Sequence, residues 1–154
     1  MIHANSIAQQ VASSPAVTLP SKVYTSPFLR TTHTASILAT ALSKHVNVEE
    51  GFYEYLIPSL LVDRSGTRTY PRTVEELKKI FGNVDASYEK ALEITPEMFP
   101  EDESKLIERC RDALNGVLTH ANRNNVAIVA HAPCVQALAF VMEDVRIEDS
   151  KLKR

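Results

Sequence analysis

The sequence predicts an α/β domain, a three-layer sandwich of helices on both faces of a mostly parallel sheet. Short runs of β-branched and apolar residues alternate with stretches of helical periodicity, the order that is typical of strand–helix–strand units. The run NVAIVA at residues 125–130 is almost entirely apolar, as are strands that are buried on both faces of a parallel sheet. With 154 residues, of which 44% are hydrophobic, the chain has the size and composition of one globular domain, residues 1–154.

The first third of the chain supplies two helices and two strands. Residues 6–14 favour a short helix, which prolines soon end. Residues 22–26 (KVYTS) predict a short buried strand, and apolar side chains recur at helical spacing over residues 29–43. Residues 45–50 alternate between apolar and polar side chains and predict the second strand.

A proline-containing insertion runs from about residue 52 to residue 100 with little regular structure. Its one clear helix is predicted over residues 73–81, where Thr73 as the N-cap and Glu76 three residues later form a capping box. Long irregular insertions usually cover a site rather than build a core. We therefore expect this insertion to lie over a ligand-binding region.

The last third of the chain predicts helix, strand and helix in that order. Apolar side chains between residues 101 and 124 fall on one stripe of a long amphipathic helix. The strand at residues 125–130 follows, and the last helix begins at Pro133, where a missing backbone N–H costs little. The tail from Asp144 is too polar to add a strand to the sheet.

Composition excludes several classes of function. A formal net charge of −2 gives no strongly basic surface for nucleic acid, and no apolar run approaches the roughly 20 residues that span a bilayer. The N-terminus lacks the pattern of a secretory signal, and the two cysteines lack metal-ligand spacing. We therefore expect a cytoplasmic domain that has no metal or other cofactor and binds neither nucleic acid nor membranes.

Several catalytic motifs are also absent. The sequence contains no G-x-S-x-G elbow and neither of the two common glycine-rich nucleotide-binding motifs. A cysteine-dependent phosphatase needs an arginine six positions after its cysteine. Phe140 stands there for Cys134, and Gly116 stands there for Cys110, so that mechanism is excluded.

Three polar residues follow the three predicted strands. Arg30, Glu54 and His131 each come after a strand end, where the parallel strands of such a sheet direct their ligand-binding side chains. A guanidinium binds phosphate oxygens with two donors, a histidine can donate to an anion, and a carboxyl group can protonate a leaving oxygen. Together these residues suggest phosphate-ester chemistry.

Each of these residues also has a simpler interpretation. Arg30 would be a surface ion-pair partner, Glu54 an exposed glutamate beside aromatic residues, and His131 a core histidine bonded to a carbonyl. The remaining candidates are assigned structural roles: His33, His45 and His120.

Three segments resemble motifs of one family. VYTSPFLRTTHTASIL (residues 23–38) resembles the SSPLxRxxxTAxxL segment of the histidine phosphatase superfamily, which has the phosphoglycerate mutase-like fold. VEEGFYEY (48–55) is similar to the acidic xxxxLxE segment, and VAIVAHAPCVQALA (126–139) resembles the second histidine motif in its His-Ala form. This form is closest to the branch of the suppressor-of-T-cell-receptor-signalling and ecdysteroid-phosphate phosphatases.

The resemblance implies a role for each site residue. Arg30 would bind the phosphoryl oxygens, His131 would hold the transferring phosphoryl group, and Glu54 would be the general acid. The reaction would be hydrolysis of a phosphomonoester through a phosphohistidine, with no cofactor. The partner would be a phosphorylated small molecule or a phosphoprotein.

One family motif is missing from the sequence. The superfamily carries its nucleophile in an Arg-His-Gly motif after the first strand, and this sequence has no such motif, so the domain is expected to lack that strand and to be N-terminally truncated. Loss of a nucleophile lowers rates by roughly 10⁶-fold. The resemblance also implies that the missing strand lies between the strands at 22–26 and 125–130. Those strands would then expose unpaired backbone groups, unless they close up on each other or recruit another chain.

Three hypotheses therefore remain open. The chain is a pseudophosphatase that keeps a partial phosphate pocket, or it is a fragment of an active phosphatase. Alternatively it is an interaction module, and exposed sheet edges would allow it to form a homo-oligomer.

Overall fold

The computed structural model describes residues 2–13, 18–57 and 71–152. Five helices and three strands occur in these ranges, in the order α1 (Ile2–Ser13), β1 (Lys22–Thr25), α2 (Leu29–Ala41), β2 (Val46–Val48), α3 (Val74–Ile80), α4 (Glu103–His120), β3 (Val126–Val129) and α5 (Ala132–Leu152). Short 3-10 turns occupy Glu50–Phe52 and Pro96–Met98. None of the described helices has the length and apolar character needed to span a membrane.

The predicted elements are present, with shifted ends. Helix α1 begins four residues before the predicted start at residue 6, and residue 14 lies outside the described residues. The final helix, predicted from Pro133, runs on to Leu152, so the polar tail continues a helix rather than forming a strand. Residues 58–70 of the predicted insertion also lie outside the described residues.

The sheet has the strand order β2-β1-β3, and both pairings are parallel. Strand β1 pairs directly with β3, from Lys22 opposite Val126 to Thr25 opposite Val129. Beyond the ladder, the Ser26 N–H donates to the carbonyl of Val129 at 3.3 Å. The two strands that were expected to flank a further strand are therefore direct neighbours in this sheet.

Helices cover both faces of the sheet, which confirms the α/β sandwich. Side chains alternate along a strand, so Val23 and Tyr24 of β1 point into separate cores. Val23 packs with α2 and α3, through residues such as Leu38 and Leu77. Tyr24 packs with α4 and α5, through residues such as Val117.

The burial of β3 differs from the prediction. All four residues of Val126–Val129 are only half-buried, whereas the apolar run predicted a strand buried on both faces. Strand β3 pairs with β1 alone among the described residues, so no described strand lies against its outer side, whereas β2 at the other edge is buried beside the Val84 bridge. Apolar composition indicates a strand but does not tell a central strand from an edge strand.

The insertion contributes to the core, which corrects the expectation that it only covers a site. Helix α3 has the predicted capping box, in which Thr73 and Glu76 each accept a backbone N–H of the other. Its Leu77 is fully buried against α2, and Val84 is buried beside Val46 of β2. The insertion is therefore partly core and partly cover.

A buried carboxylate fixes the rest of the insertion to the sheet. Glu49 directly follows β2 and is fully buried. Its two oxygens accept four hydrogen bonds: from Gly51 N (2.9 Å), Leu92 N (3.1 Å), Ala91 N (2.7 Å) and the Tyr88 hydroxyl (2.6 Å). A buried carboxylate needs such partners, because an unpaired one would carry a large desolvation penalty.

Gly51 marks the closest approach between α4 and the turn after β2. A β-carbon at this position would overlap the β-carbon of Ala113 on α4. Residue 51 therefore has to be glycine for reasons of space rather than of backbone conformation.

We expect Gly51→Ala to lower the free energy of unfolding by about 1–3 kcal/mol, since overpacking a rigid contact costs this much. Gly82→Ala is the control, because a β-carbon at Gly82 meets no atom within 4 Å. Urea denaturation measures both variants. Equal stability of the two would contradict the packing described for Gly51.

Candidate active site

The turn from β1 into α2 directs Arg30 towards the edge of the sheet. Helix α2 begins at Leu29, and the hydroxyl groups of Thr31 and Thr32 donate to the carbonyls of Ser26 and Phe28 at 2.8–3.2 Å. These bonds close the turn in front of the helix. The Arg30 guanidinium lies over the Phe28 ring, with its carbon 4.8 Å from the ring centroid, and half of its side chain is exposed.

His131 lies between the end of β3 and the start of α5. Its carbonyl accepts a hydrogen bond from Val135 N and so begins the helix. The ring is buried, with 3% of the side chain exposed, and packs edge-on against Phe28 with the centroids 5.0 Å apart. Its Nε2 is 2.8 Å from the Ser26 hydroxyl, so Nδ1 is the ring nitrogen left to face the site.

Glu54 completes the site from the irregular segment after the Glu50–Phe52 turn. Its Oε2 is 2.8 Å from Arg30 Nη2 and 2.9 Å from His131 Nδ1, and its Oε1 accepts the Tyr55 N–H at 3.0 Å. Arg30 Nη2 is in turn 2.9 Å from His131 Nδ1. The three residues predicted from the sequence thus meet in one triangle of polar atoms, while their chemical roles remain predictions.

The triangle opens into a shallow cleft of about 590 Å³, lined by residues of all three segments. A larger cleft of about 1010 Å³ is lined by Pro27 and Tyr53 among others. The Tyr53 ring packs against Phe28, with the centroids 4.9 Å apart, and Phe28 contacts His131. An aromatic pair therefore connects the polar triangle with the larger cleft.

The pKa of Glu54 is lowered from its ordinary value of 4.5. Burial opposes ionisation, but hydrogen bonds from His131 and from the Tyr55 N–H outweigh it, and the charges of His131 and Arg30 act in the same direction. Glu54 is consequently a carboxylate at neutral pH, and it occupies the donors that an external anion would use.

Ser26, the partner of His131 Nε2, was not predicted as a site residue, although it belongs to the segment VYTSPFLRTTHTASIL. Two further histidines have structural surroundings: His33 stacks on Phe81, and His120 Nδ1 is 2.7 Å from the Tyr24 hydroxyl. The part of the chain that the structure describes contains no cluster of His, Cys, Asp and Glu that could hold a metal ion.

Comparison with known proteins identifies the family to which this chain belongs. The family model described as histidine phosphatase superfamily (branch 1) matches residues 3–152, and the chain belongs to this superfamily. No curated protein sequence matches the chain.

Among solved structures, the chain is similar to the crystal structure of the ecdysone phosphate phosphatase EPPase from Bombyx mori, in complex with tungstate. The TM-score is 0.75 at 21% sequence identity, and the match covers 94% of this chain and 54% of the other. The chain thus spans about half the length of that structure and shares its fold.

The stabilising contribution of Glu54 should depend on pH. Because its pKa is lowered in the folded state, this contribution is present above the unfolded value of about 4.5 and is lost as the pH falls through the folded pKa. We therefore expect the difference in free energy of unfolding between wild type and Glu54→Gln to shrink as the pH falls from 7 to 3. Urea denaturation measures this difference, with Glu108→Gln on the exposed face of α4 as the control. A difference that does not change with pH would contradict the ion pairing of Glu54.

Proposed function

We propose that the chain binds the phosphoryl group of a phosphomonoester, carried by a small molecule or a phosphoprotein, at the Arg30–Glu54–His131 site. The observation that carries this proposal is the triangle of Arg30 Nη2, Glu54 Oε2 and His131 Nδ1, whose sides are 2.8–2.9 Å. Two nitrogen donors are focused there on one oxygen of a carboxylate. A phosphate oxygen in the place of that carboxylate oxygen would meet the same donors.

The half-exposed guanidinium is suited to this exchange. Arg30 can turn both of its terminal nitrogens towards an anion that enters from the cleft, since half of its side chain is free of protein contact. The buried ring of His131 stays in place because Ser26 and Phe28 hold it. Tungstate, with which the Bombyx mori phosphatase forms its complex, is an oxyanion of the same tetrahedral shape as phosphate.

The arrival of an anion would change the state of Glu54. A phosphoryl group that takes over Arg30 and His131 removes the partners that lower the pKa of Glu54 and places negative charge beside it. Both effects favour the protonated carboxyl group. A protonated Glu54 is what the role of general acid requires, because it can then donate to the leaving oxygen of an ester.

We further propose that the chain alone hydrolyses esters poorly. A phosphohistidine mechanism needs a histidine nitrogen in line with the bond to be broken. Among the histidine side chains that the structure describes, only His131 lies at the site, and both of its nitrogens have partners. Binding without turnover is therefore the primary proposal, and a part in an active phosphatase with further chain is the alternative.

The larger cleft suits the alcohol part of the ester. Tyr53, Tyr88 and Phe99 give it an aromatic lining, and its charged residues are of both signs, Arg72 and Lys90 beside Glu50, Glu75 and Glu89. We propose that a bulky alcohol lies against these residues while the phosphoryl group lies at Arg30. We also propose that the chain functions in the cytoplasm, since Cys110 and Cys134 are both free thiols.

A second candidate function is self-association through β3. The strand pairs on one side only among the described residues, and its outer edge would accept a strand from a second copy. Light scattering after size exclusion tests this proposal: a concentration-dependent dimer supports it, and a monomer at all concentrations contradicts it.

Calorimetry with tungstate and with inorganic phosphate tests the primary proposal. We expect saturable binding that Arg30→Ala and His131→Ala each weaken by about 10–100-fold, since a charged hydrogen bond contributes about 1.5–3 kcal/mol. Arg111→Ala is the control, because Arg111 is a partly exposed arginine that pairs with Asp144. An absence of saturable binding, or equal binding by all the variants, would refute the phosphoryl site.

Hydrolysis of p-nitrophenyl phosphate tests the catalytic part separately. We expect the purified chain to release p-nitrophenol at the rate of the Arg30→Ala, His131→Ala double variant. Turnover that His131→Ala abolishes would show that the chain is an active phosphatase and not a binding module.

A further inference from the structure

The segment that carries Glu54 has little structure of its own. It follows the 3-10 turn at Glu50–Phe52 and contains neither strand nor helix from residue 53 to residue 57. Its position must therefore be fixed by contacts with other elements. Those contacts come from α4, from Glu101 two residues before α4, and from α5.

Arg109 on α4 binds the backbone of the segment at Tyr53 and Glu54. Its side chain is only 5% exposed and all of its donors are used. Nη1 donates to the carbonyls of Gly51 (2.9 Å) and Tyr53 (3.1 Å), and Nη2 donates to the carbonyl of Glu54 at 3.4 Å. The remaining donors of Nε and Nη2 bind the two carboxylate oxygens of Glu101. A guanidinium has five N–H donors, and each has an acceptor here.

Glu101 holds the other end of the same segment. Its carboxylate is 2% exposed, and its Oε1 also accepts the Leu56 N–H at 2.8 Å. The backbone N–H of Glu101 donates to the Leu56 carbonyl at 3.1 Å. From α5, the Cys134 thiol donates to the Tyr53 carbonyl at 2.8 Å. One buried ion pair and one thiol thus bind the backbone on both sides of Glu54.

We infer that Arg109, held by Glu101, is the positioning residue that places the Glu54 carboxylate against Nδ1 of His131 and Nη2 of Arg30. Arg109 contacts only backbone carbonyls of the segment, so it acts on the site through the location of Glu54. The placement of Glu54 by Arg109 is inferred from geometry alone. Its effect on anion binding rests on the proposed function.

Lysine cannot replace Arg109 in this role. A lysine at position 109 keeps the positive charge beside Glu101, but its ammonium has three donors on one atom and cannot bind carbonyls and a carboxylate in opposite directions. We expect Arg109→Lys to release residues 51–54 from α4 and so to move Glu54 away from His131. Arg111→Lys is the matched control, because Arg111 lies two residues further along α4 and is partly exposed.

The first test is a double-mutant cycle on the affinity for inorganic phosphate. Because the Glu54 carboxylate competes with phosphate for the same donors, Glu54→Gln should lower the dissociation constant by at least fivefold in the wild-type background. In the Arg109→Lys background the same substitution should change it by less than twofold, since Glu54 no longer acts on the site. In the Arg111→Lys background the fivefold change should persist. If Arg109→Lys only damaged the fold, it would lower the affinity for phosphate by the same factor in the wild type and in Glu54→Gln. That result would overturn the inference.

The second test needs no ligand. In protein labelled with ¹⁵N-histidine, the Nδ1 resonance of His131, assigned by its loss in His131→Ala, reports the contact with Glu54. Arg109→Lys should shift this resonance in the same direction as Glu54→Gln, and Arg111→Lys should leave it unchanged. An unmoved resonance in a folded Arg109→Lys variant would overturn the inference. If the resonance moves and no variant binds phosphate, the proposed function fails while the positioning role stands.

A second variant guards against misfolding of Arg109→Lys. Glu101→Gln keeps the oxygen that accepts from Leu56 and removes the charge that holds Arg109. The same resonance shift and the same reduced effect of Glu54→Gln are expected, and a folded Glu101→Gln variant with neither would contradict the proposed role of the ion pair.

Discussion

The direct parallel pairing of β1 with β3 is the constraint on which the site depends. With Thr25 opposite Val129, the two segments that leave the sheet, at Ser26 and at His131, begin side by side. Ser26 then bonds to Val129 through its backbone and to His131 through its hydroxyl. Residues more than a hundred positions apart in the sequence are brought together by the register of one strand pair. A register shifted by one residue would turn His131 to the other face.

Buried charge, rather than regular secondary structure, holds the third member of the site. Glu49 and the Arg109–Glu101 pair together bind the irregular segments around residues 49–56 and 88–101. Buried ionic groups in general add little net stability to a fold, because their desolvation offsets much of the attraction between them. Their advantage here is directional. A carboxylate and a guanidinium bind specific carbonyls and N–H groups, which apolar packing cannot do.

The parts of the molecule that could be predicted from the sequence are those with local signals. The β-branched runs, the helical periodicity of α4 and the capping box at Thr73 each depend on neighbouring residues. Arg30, Glu54 and His131 were predictable because each follows a strand, and parallel strands end at one edge.

The parts that could not be predicted depend on partners distant in the sequence. Arg109 lies in a helix whose charged residues would all be expected on the exposed face, and only its distant acceptors explain its burial. Glu49 is likewise one of two adjacent glutamates, and nothing local shows that it is the buried one. The half-burial of β3 also escaped prediction, since the number of strands beside it is a property of topology rather than of composition.

The edge position of β3 has a consequence for the lifetime of its backbone hydrogens. In a strand with a single neighbour, alternate amides point away from the ladder and have no partner within the sheet. Deuterium from the solvent should reach those outward amides of Val126–Val129 sooner than any amide of β1, which has neighbours on both sides. The strand that leads into His131 is therefore less protected from exchange than its neighbour β1, although the His131 ring is buried and bonded to Ser26.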